Sequence, residues 1–306
     1  MNPITGLLSA LGVLTAVYVA GWTKAVVAAR RAPAASGSPA TDARMPTIFQ
    51  MGLGAGANFL DALGIGSFAT TTAVFRLRRM VPDRVIPGTL NAGHTLPTIA
   101  QAFIFTAVIP ADVLTLFSMI AAAVLGAWLG AGVVARWPRR KVQIGMGLAL
   151  LAAAAFMLMK QLDLFPAGSA EIGVRGIKLV LAVAGNFMLG ALMTLGIGLY
   201  APCMILVSLL GMSERTAFPI MMGSCAFLMP IGSLRFIREQ SYSLRNALGL
   251  AIGGIPGVLV AAYIVRSLDL YTVRWLVVVV VLYTAITLLM SASSEKTAAA
   301  AEPLQA

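Results

Sequence analysis

The chain has 306 residues, of which 59% are hydrophobic and 11% are charged, and its mean hydropathy is +0.90. Ordinary soluble domains carry about 25% charged residues, so this composition excludes one and indicates a polytopic membrane protein. The net charge of +11 does not indicate a nucleic-acid partner, because Lys and Arg stand in short clusters between apolar runs, where they orient membrane helices.

The first apolar run, residues 4 to 23, is uncharged and long enough to span a hydrocarbon core of about 30 Å. Its basic residues, Lys24, Arg30 and Arg31, follow the run, whereas a secretory signal carries its positive charge before it. We therefore predict a retained first helix with its N-terminus outside the cell. Residues 1 to 45 comprise this helix and a flexible linker rich in Pro, Ser and Ala.

Two later apolar segments, residues 45 to 75 and 179 to 213, are too long for a single span. The second would reach roughly 52 Å as one helix at about 1.5 Å per residue. Each contains the motif LGIG, where we expect a break, either as a re-entrant hairpin or as a discontinuous helix. Single spans fit the other apolar runs, at residues 85–108, 112–135, 141–160, 216–236, 244–265 and 272–292. Residues 293 to 306 form a polar tail that we predict to be disordered.

The two LGIG segments indicate an internal repeat. LGIGSFATTTAVF, from Leu63 to Phe75, is matched 132 positions later by LGIGLYAPCMILV, from Leu195 to Val207. Eight residues are identical at this offset in the first and second copies: Leu63, Gly64, Ile65, Gly66, Ala69, Leu77, Met80 and Pro87, and Leu195, Gly196, Ile197, Gly198, Ala201, Leu209, Met212 and Pro219. The alternative is two unrelated glycine-rich membrane helices, since Gly is frequent in them. We predict two repeats, 46–162 and 163–292, and broken segments in matching positions of two halves are typical of secondary-transporter binding sites.

Charge favours the re-entrant form of the two breaks. With two re-entrant elements, the basic clusters at 76–84 and 136–141 both lie in the cytoplasm, whereas two full crossings would put both outside. Each repeat then has one re-entrant or broken element plus three transmembrane helices. That is an odd number of crossings, so the repeats are inverted relative to each other and the C-terminus is cytoplasmic.

Hydroxyl side chains at the first break predict an anion site. Gly66, Ser67, Thr70 and Thr71 begin a half-helix, where free backbone N–H groups and hydroxyl donors suit an oxyanion such as sulfite, a sulfonate or a carboxylate. The alternative is that Ser and Thr only cap the broken helix. The second repeat has three corresponding candidates: Tyr200, Pro202 and Cys203.

Two ionisable residues, Asp61 and His94, lie deep in apolar sequence. Ionisable groups in the membrane are functional candidates because their desolvation is costly, and we expect either residue to carry a coupling proton. A hydrogen-bonded structural role is the alternative for His94. The cavity could also be lined by neighbouring polar residues: Asn58, Asn91, Thr95 and Gln101.

The chain resembles the TauE/SafE family of sulfite-exporter-like anion permeases over about residues 46 to 291. The resemblance rests on GLGAGANFLDALGIG with the hydroxyl-rich helix start after it, and on GNFMLGALMTLGIGLYAPCMIL. It implies a permease for sulfite, sulfonates or related small anions, whose paired motifs meet at the substrate path. By this resemblance the implicated residues are Gly64, Gly66, Ser67, Gly196, Gly198 and Pro202. One departure is that SFATTT stands where the family often has three glycines and a proline.

The leading hypothesis is a secondary transporter of a small oxyanion in the bacterial inner membrane, coupled to protons and without a cofactor or resident metal. A homodimer is compatible with it. One alternative is a membrane-embedded enzyme with Asp61 and His94 as acid and base, although a duplicated half argues against a single catalytic cluster. Another is a divalent-cation transporter, for which the sequence offers few hard ligands. Nucleotide hydrolysis and zinc-protease chemistry lack support, since the sequence has no P-loop and no HExxH.

Overall fold

The computed structural model describes residues 3–31, 39–40, 42–63, 66–134, 139–162, 164, 171–194 and 198–264, together with positions 275, 282, 285, 286, 289, 290 and 293. Its helices, in chain order, are α1 (Pro3–Arg31), α2 (Ile48–Ala62), α3 (Ser67–Leu77), α4 (Ile86–Val108), α5 (Val113–Val134), α6 (Arg139–Gln161), α7 (Gly176–Met193), α8 (Tyr200–Leu209), α9 (Glu214–Arg238) and α10 (Leu244–Ile264). A short 3-10 turn, Asp83–Val85, precedes α4.

The helical architecture predicted from the sequence is confirmed for the described residues. Within the described ranges, five helices are long and apolar enough to cross a membrane: α1, α5, α7, α9 and α10. The single spans expected before residue 266 correspond to α4, α5, α6, α9 and α10, within about two residues at each end. Most of the span expected at 272–292 and most of the tail after it lie outside the described residues, as does the linker at 32–38.

The first helix is longer than the predicted span at 4 to 23, because α1 continues to Arg31. Arg30 and Arg31 form its last turn, where basic side chains interact favourably with the helix dipole. Tyr18 anchors α1 to the bundle by donating its hydroxyl hydrogen to the carbonyl oxygen of Ala92 in α4, at 3.0 Å. Leu7 and Leu11 are buried nearer the start of the helix.

In both long apolar segments one helix ends before LGIG and the next begins after it, as predicted, and the two helices form a hairpin. In the first, Thr47 caps α2, and α3 begins after Gly66, whose φ of 90° suits glycine. The two outer ends of this hairpin lie next to each other, since the Arg78 guanidinium lies 4.9 Å from the centroid of the Phe49 ring. The start of α2 and the end of α3 therefore lie together at one end of the bundle.

The second hairpin, α7 and α8, also has its outer ends together. The backbone N–H of Ser213, just after α8, donates to the carbonyl oxygen of Glu171, before α7, at 2.8 Å. Arg175, the N-cap of α7, forms an ion pair with Asp112 at the start of α5, with 2.7 Å between guanidinium nitrogen and carboxylate oxygen. We call this the Asp112 end of the bundle.

The opposite end of the bundle holds the start of α2 and the end of α3, which are the outer ends of the first hairpin. There Gly88, near the start of α4, lies against the backbone of Ser241 and the side chain of Phe236, and Arg245 donates to the carbonyl oxygen of Met45 at 3.0 Å. We call it the arginine-rich end because of its basic residues: Arg44, Arg76, Arg78, Arg79, Arg84, Arg235, Arg238 and Arg245. The two hairpins thus open toward opposite ends, and their breaks lie between.

Helices α4 and α9 pack against each other at the centre, α2 packs on α10, and α5 packs on α7. Glycine allows the two outer pairs to approach closely. A Cβ atom on Gly257 of α10 would overlap the carbonyl of Ala55 in α2, and one on Gly126 of α5 would overlap the carbonyl of Phe187 in α7. Small residues at helix crossings are the usual means of close packing in membranes.

Candidate functional site

Asp61 lies in the last turn of α2, just before the first break, and its side chain is 3% exposed. Because the chain turns back after residue 63, the first residue of α3 comes within reach of this carboxylate. The backbone N–H of Ser67 donates to Oδ1 of Asp61. The carboxylate therefore occupies the N-terminal end of α3, a position that favours negative charge.

A chain of two further hydrogen bonds joins Asp61 to the second hairpin. The side-chain amide nitrogen of Gln101, on α4, donates to Oδ2 of Asp61 at 3.0 Å. The hydroxyl of Tyr200, the first residue of α8, donates to the amide oxygen of Gln101 at 2.7 Å. All three side chains are buried. The amide of Gln101 thus connects the acid of one hairpin to the start of the second half-helix of the other.

A small cavity of about 10 Å³ lies where the two breaks meet, with room for roughly one water molecule. Residues of both hairpins and of both central helices line it. Its polar wall comprises Asp61, Ser67, Thr98 and Tyr200. Its sulfur wall comprises Met193, Cys225 and Met229.

The two walls differ because the two halves of the chain contribute different side chains. Met193 occupies the position of Asp61 at the 132-residue offset, and both line the cavity. Met193 Sδ lies 3.5 Å from Cys225 Sγ. A ligand in the cavity would therefore meet hydroxyl groups and a carboxylate on one side and polarisable sulfur on the other.

His94 is held in a second hydrogen-bonded cluster beside the cavity. Its Nδ1 lies 3.1 Å from Oδ1 of Asn58, and its Nε2 lies 3.1 Å from Oγ1 of Thr71. Asn58 Oδ1 can only accept, so Nδ1 of His94 carries a hydrogen, and in the neutral ring Nε2 accepts the hydroxyl hydrogen of Thr71. His94 thereby ties α2, α3 and α4 together. It does not line the cavity, and its partners differ from those of Asp61, contrary to the pairing that an acid–base enzyme would use.

Of the other predicted site residues, some lie at the cavity and others do not. Gly66, Ser67, Gly198 and Tyr200 line it. Thr70 donates to the carbonyl oxygen of Ser67 at 2.9 Å within its own helix. Pro202 is in the first turn of α8, and Cys203 is buried one residue further on. Gly64 and Gly196 lie outside the described residues.

Asn91 and Thr95 are not among the residues that line the cavity. Asn91 donates to the carbonyl oxygen of Pro87 at 2.9 Å, and the hydroxyl of Thr95 lies 3.1 Å from that of Ser233 on α9. The predicted role of these two residues in lining a substrate site therefore has no geometric support. The hydroxyl of Thr95 instead belongs to the α4–α9 contact, and the amide of Asn91 bonds within α4.

Sequence reasoning missed Thr98 and the three residues of the sulfur wall. Two signals could have found some of them. The first is helical spacing, since Thr98 and Gln101 follow His94 at intervals that place them on one face of α4. The second is the repeat itself, which matches Met193 to Asp61.

The described residues contain no cluster of three or more His, Cys, Asp or Glu side chains that could hold a metal ion. Comparison of the chain with protein-family models, with curated proteins and with solved structures gives no match. The chemistry of the cavity and the arrangement of the helices around it are therefore the grounds for assigning a function.

Proposed function

We propose that the protein is a secondary transporter of a small oxyanion, such as sulfite or a sulfonate, that works by alternating access between two inverted repeats. The observation that carries the proposal is the cavity between two broken helical elements that open toward opposite ends of the bundle. Broken helices that meet near the membrane midplane are the usual construction of a transporter site. The resemblance to the TauE/SafE anion permeases points to the same class of function.

Matching contacts support the inverted repeat. Gly257 against Ala55 corresponds to Gly126 against Phe187, since the partners are separated by 131 and 132 positions. Backbone hydrogen bonds also correspond. The N–H of Leu244 donates to the carbonyl oxygen of Pro39 at 3.0 Å, and that of Asp112 donates to Ile172 at 2.9 Å. In both cases a segment before a hairpin is joined to the start of the helix that packs on that hairpin.

The distribution of charge supports an orientation. Lys and Arg concentrate at the arginine-rich end, and short cytoplasmic loops of membrane proteins carry an excess of basic residues. We therefore place the arginine-rich end in the cytoplasm, with Lys178 and Arg175 outside. In this orientation both hairpins are re-entrant, and the start of α1 lies outside. The proposed location is the bacterial inner membrane.

The cavity of about 10 Å³ must widen to admit an anion, and the groups that line it suit an anion that binds together with a proton. Ser67, Thr98 and Tyr200 provide hydroxyl groups that can donate to oxyanion oxygens. The ionised carboxylate of Asp61 would repel an anion in the same space, because like charges in a site of low dielectric cannot share it at small cost. Protonation of Asp61 removes this repulsion, so we expect the anion and a proton to bind together.

Uptake into proteoliposomes tests the proposal. Purified protein is reconstituted, and accumulation of radiolabelled sulfite, methanesulfonate, thiosulfate and acetate is compared with that in protein-free liposomes. A pH gradient, acidic on the side of addition, should increase uptake of at least one sulfur oxyanion. Uptake of none of these anions above the protein-free level, with or without the gradient, would contradict the proposed function.

A further inference from the structure

The side-chain amide of Gln101 has a donor, its nitrogen, and an acceptor, its oxygen, and both form hydrogen bonds. Its nitrogen donates to Asp61 Oδ2 and its oxygen accepts from Tyr200. This orientation matches a carboxylate that only accepts hydrogen bonds, since Ser67 donates to Oδ1 as well. The arrangement is therefore the one expected for ionised Asp61. The 2.7 Å bond from the Tyr200 hydroxyl goes to Gln101, and the carboxylate of Asp61 and the hydroxyl of Thr98 also lie near that hydroxyl.

When Oδ2 of Asp61 is protonated, Gln101 must accept a hydrogen bond from Asp61 instead of donating one. The carboxylic acid becomes a donor toward Gln101, so the amide has to present its oxygen to Asp61 and its nitrogen to Tyr200. The Tyr200 oxygen then accepts a hydrogen bond from the amide. Its hydroxyl hydrogen stays on the oxygen and no longer bonds to Gln101. Asp61, Gln101 and Tyr200 each keep a partner, the long bond of 3.5 Å from the amide to the carbonyl oxygen of Asn58 is lost, and one hydroxyl hydrogen becomes available to the cavity that Tyr200 lines.

We infer that Gln101 is a relay whose amide turns when Asp61 is protonated, so that Tyr200 donates to the anion only in the protonated state. The inference rests on the proposed function and adds the residues that link the proton to the anion. It links the protonation state of Asp61 to a residue of the other half of the protein. Asp61 and Gln101 belong to the first half, and Tyr200 begins α8 in the second.

Other titratable groups near Asp61 come from several helices. Tyr200 and Cys203 lie on α8, Cys225 lies on α9, and His94 lies on α4. The neighbours from α2 and α3 are the backbone carbonyl of Asn58, which accepts from Gln101, and the hydroxyl of Ser67. Helix α10 contributes Gly254 beside Asn58. Asp61 is thus the only carboxylate among these neighbours, and the relay leads from it alone.

The test measures how the effect of removing the Tyr200 hydroxyl depends on pH. Methanesulfonate is the probe, since a sulfonate stays a monoanion between about pH 5 and pH 8. Its affinity for the purified full chain is measured by calorimetry for the parent and for Tyr200→Phe. At acid pH the substitution should weaken binding by about tenfold or more, because a hydrogen bond to a charged group is lost. At alkaline pH, where the Tyr200 hydroxyl donates to Gln101, the substitution should have little effect on affinity.

Asp61→Asn provides a second variant, because its amide can donate to Gln101 as the protonated acid does. This variant should bind methanesulfonate at alkaline pH as tightly as the parent does at acid pH, and proton uptake on binding should disappear. Tyr263→Phe is the matched control, since Tyr263 is 91% exposed on α10. Thermal unfolding shows whether each variant is folded.

An equal effect of Tyr200→Phe at both pH values, or none at either, would overturn the relay. So would weaker binding by Asp61→Asn than by the parent at every pH. In these cases the parent still binds the anion, so the proposed function stands without the relay. Failure of the parent to bind or transport any of the tested anions would instead remove the proposed function and the relay with it.

Discussion

Gly257 of α10 lies directly against the backbone carbonyl of Ala55 in α2, and Gly126 makes the corresponding contact with Phe187. We expect Gly257→Ala and Gly126→Ala each to destabilise the protein by about 1 to 3 kcal/mol, the usual cost of overpacking. Gly52→Ala and Gly56→Ala are matched controls on α2, since a Cβ atom there meets nothing within 4 Å. Thermal unfolding in detergent measures all four.

The controls should be neutral or slightly stabilising, because alanine favours a helix over glycine by about 0.5 to 1 kcal/mol. A similar loss of stability for Gly52→Ala and Gly257→Ala would mean that the α2–α10 crossing does not depend on close approach at position 257.

The ion pair between Asp112 and Arg175 should make stability depend on pH in the acid range. Hydrogen bonds from Arg175 hold the pKa of the Asp112 carboxyl well below its usual range, and bonds from Thr115 add to this. A lowered folded-state pKa stabilises the protein fully above the unfolded pKa of about 3.9 and progressively less below it. Asp112→Asn should therefore lower the melting temperature by a constant amount from about pH 7 to pH 5, and by less under about pH 4.

The size of that effect should be modest, because the Arg175 side chain is 61% exposed and the pair is screened by solvent. Asp42→Asn is the comparison, since Asp42 pairs with Arg44 within a loop and does not join two helices. A deficit for Asp112→Asn that does not change between pH 7 and pH 3 would mean that the folded protein does not lower the pKa of Asp112.

Orientation can be tested by cysteine labelling. Arg78→Cys lies at the arginine-rich end and Lys178→Cys near the Asp112 end, and both positions are exposed. In intact cells an impermeant thiol reagent should label Lys178→Cys from outside and leave Arg78→Cys unlabelled until the membrane is opened. The native Cys203 and Cys225 are buried and provide the unlabelled background. Labelling of Arg78→Cys from outside would contradict the proposed orientation.

Much of this architecture could be predicted from the sequence, because LGIG interrupts apolar runs that are too long for one span. The rotation of α4 could not be predicted. Residues on all sides of this helix are buried, including the unbroken series from Ile86 to Thr95, so hydrophobic periodicity does not mark the face that looks into the cavity. For this reason Asn91 and Thr95 are expected at the site, whereas Asn91 bonds within α4 and Thr95 bonds to α9, and Thr98 is missed.

The bond between Gln101 and Tyr200 joins residues 99 positions apart, and no local pattern encodes it. The register of the two LGIG motifs indicated Tyr200 as a candidate, and the expectation that the two breaks meet came from the family resemblance. The asymmetry of the cavity was likewise hidden, because a methionine in a membrane helix is far more often packing than a site residue.

The hydroxyl groups of α3 should differ in their effect on anion binding. Ser67 lines the cavity, whereas Thr70 bonds to its own helix. Ser67→Ala should weaken methanesulfonate binding by about tenfold or more if its hydroxyl donates to the anion, and Thr70→Val should not. Equal affinities for the parent, Ser67→Ala and Thr70→Val would leave these hydroxyl groups without a role in anion binding.

Thr71→Val tests the separate role of the His94 cluster. It removes the hydroxyl that bonds to His94 Nε2 and leaves that buried nitrogen without this partner. We expect a loss of stability of about 1 to 3 kcal/mol, with the affinity of the folded protein for the anion nearly unchanged. A large loss of affinity without a change in melting temperature would place Thr71 in the anion site after all.

Asp61 should carry the coupling between protons and substrate. It is a buried acid at the break, it lines the cavity, and its protonation removes the charge that opposes an anion there. Asp61→Asn keeps the shape of the side chain and fixes it without charge, so the site can bind the anion but cannot release a proton with it. We expect this variant to lose accumulation driven by a pH gradient while it still exchanges labelled for unlabelled anion across the membrane of a proteoliposome.

His94→Gln is the comparison, because His94 is buried in the neighbouring cluster and does not line the cavity. Should Asp61→Asn accumulate anion with the same pH dependence as the parent, Asp61 is not the coupling group. Loss of that dependence in His94→Gln would then assign the coupling to His94.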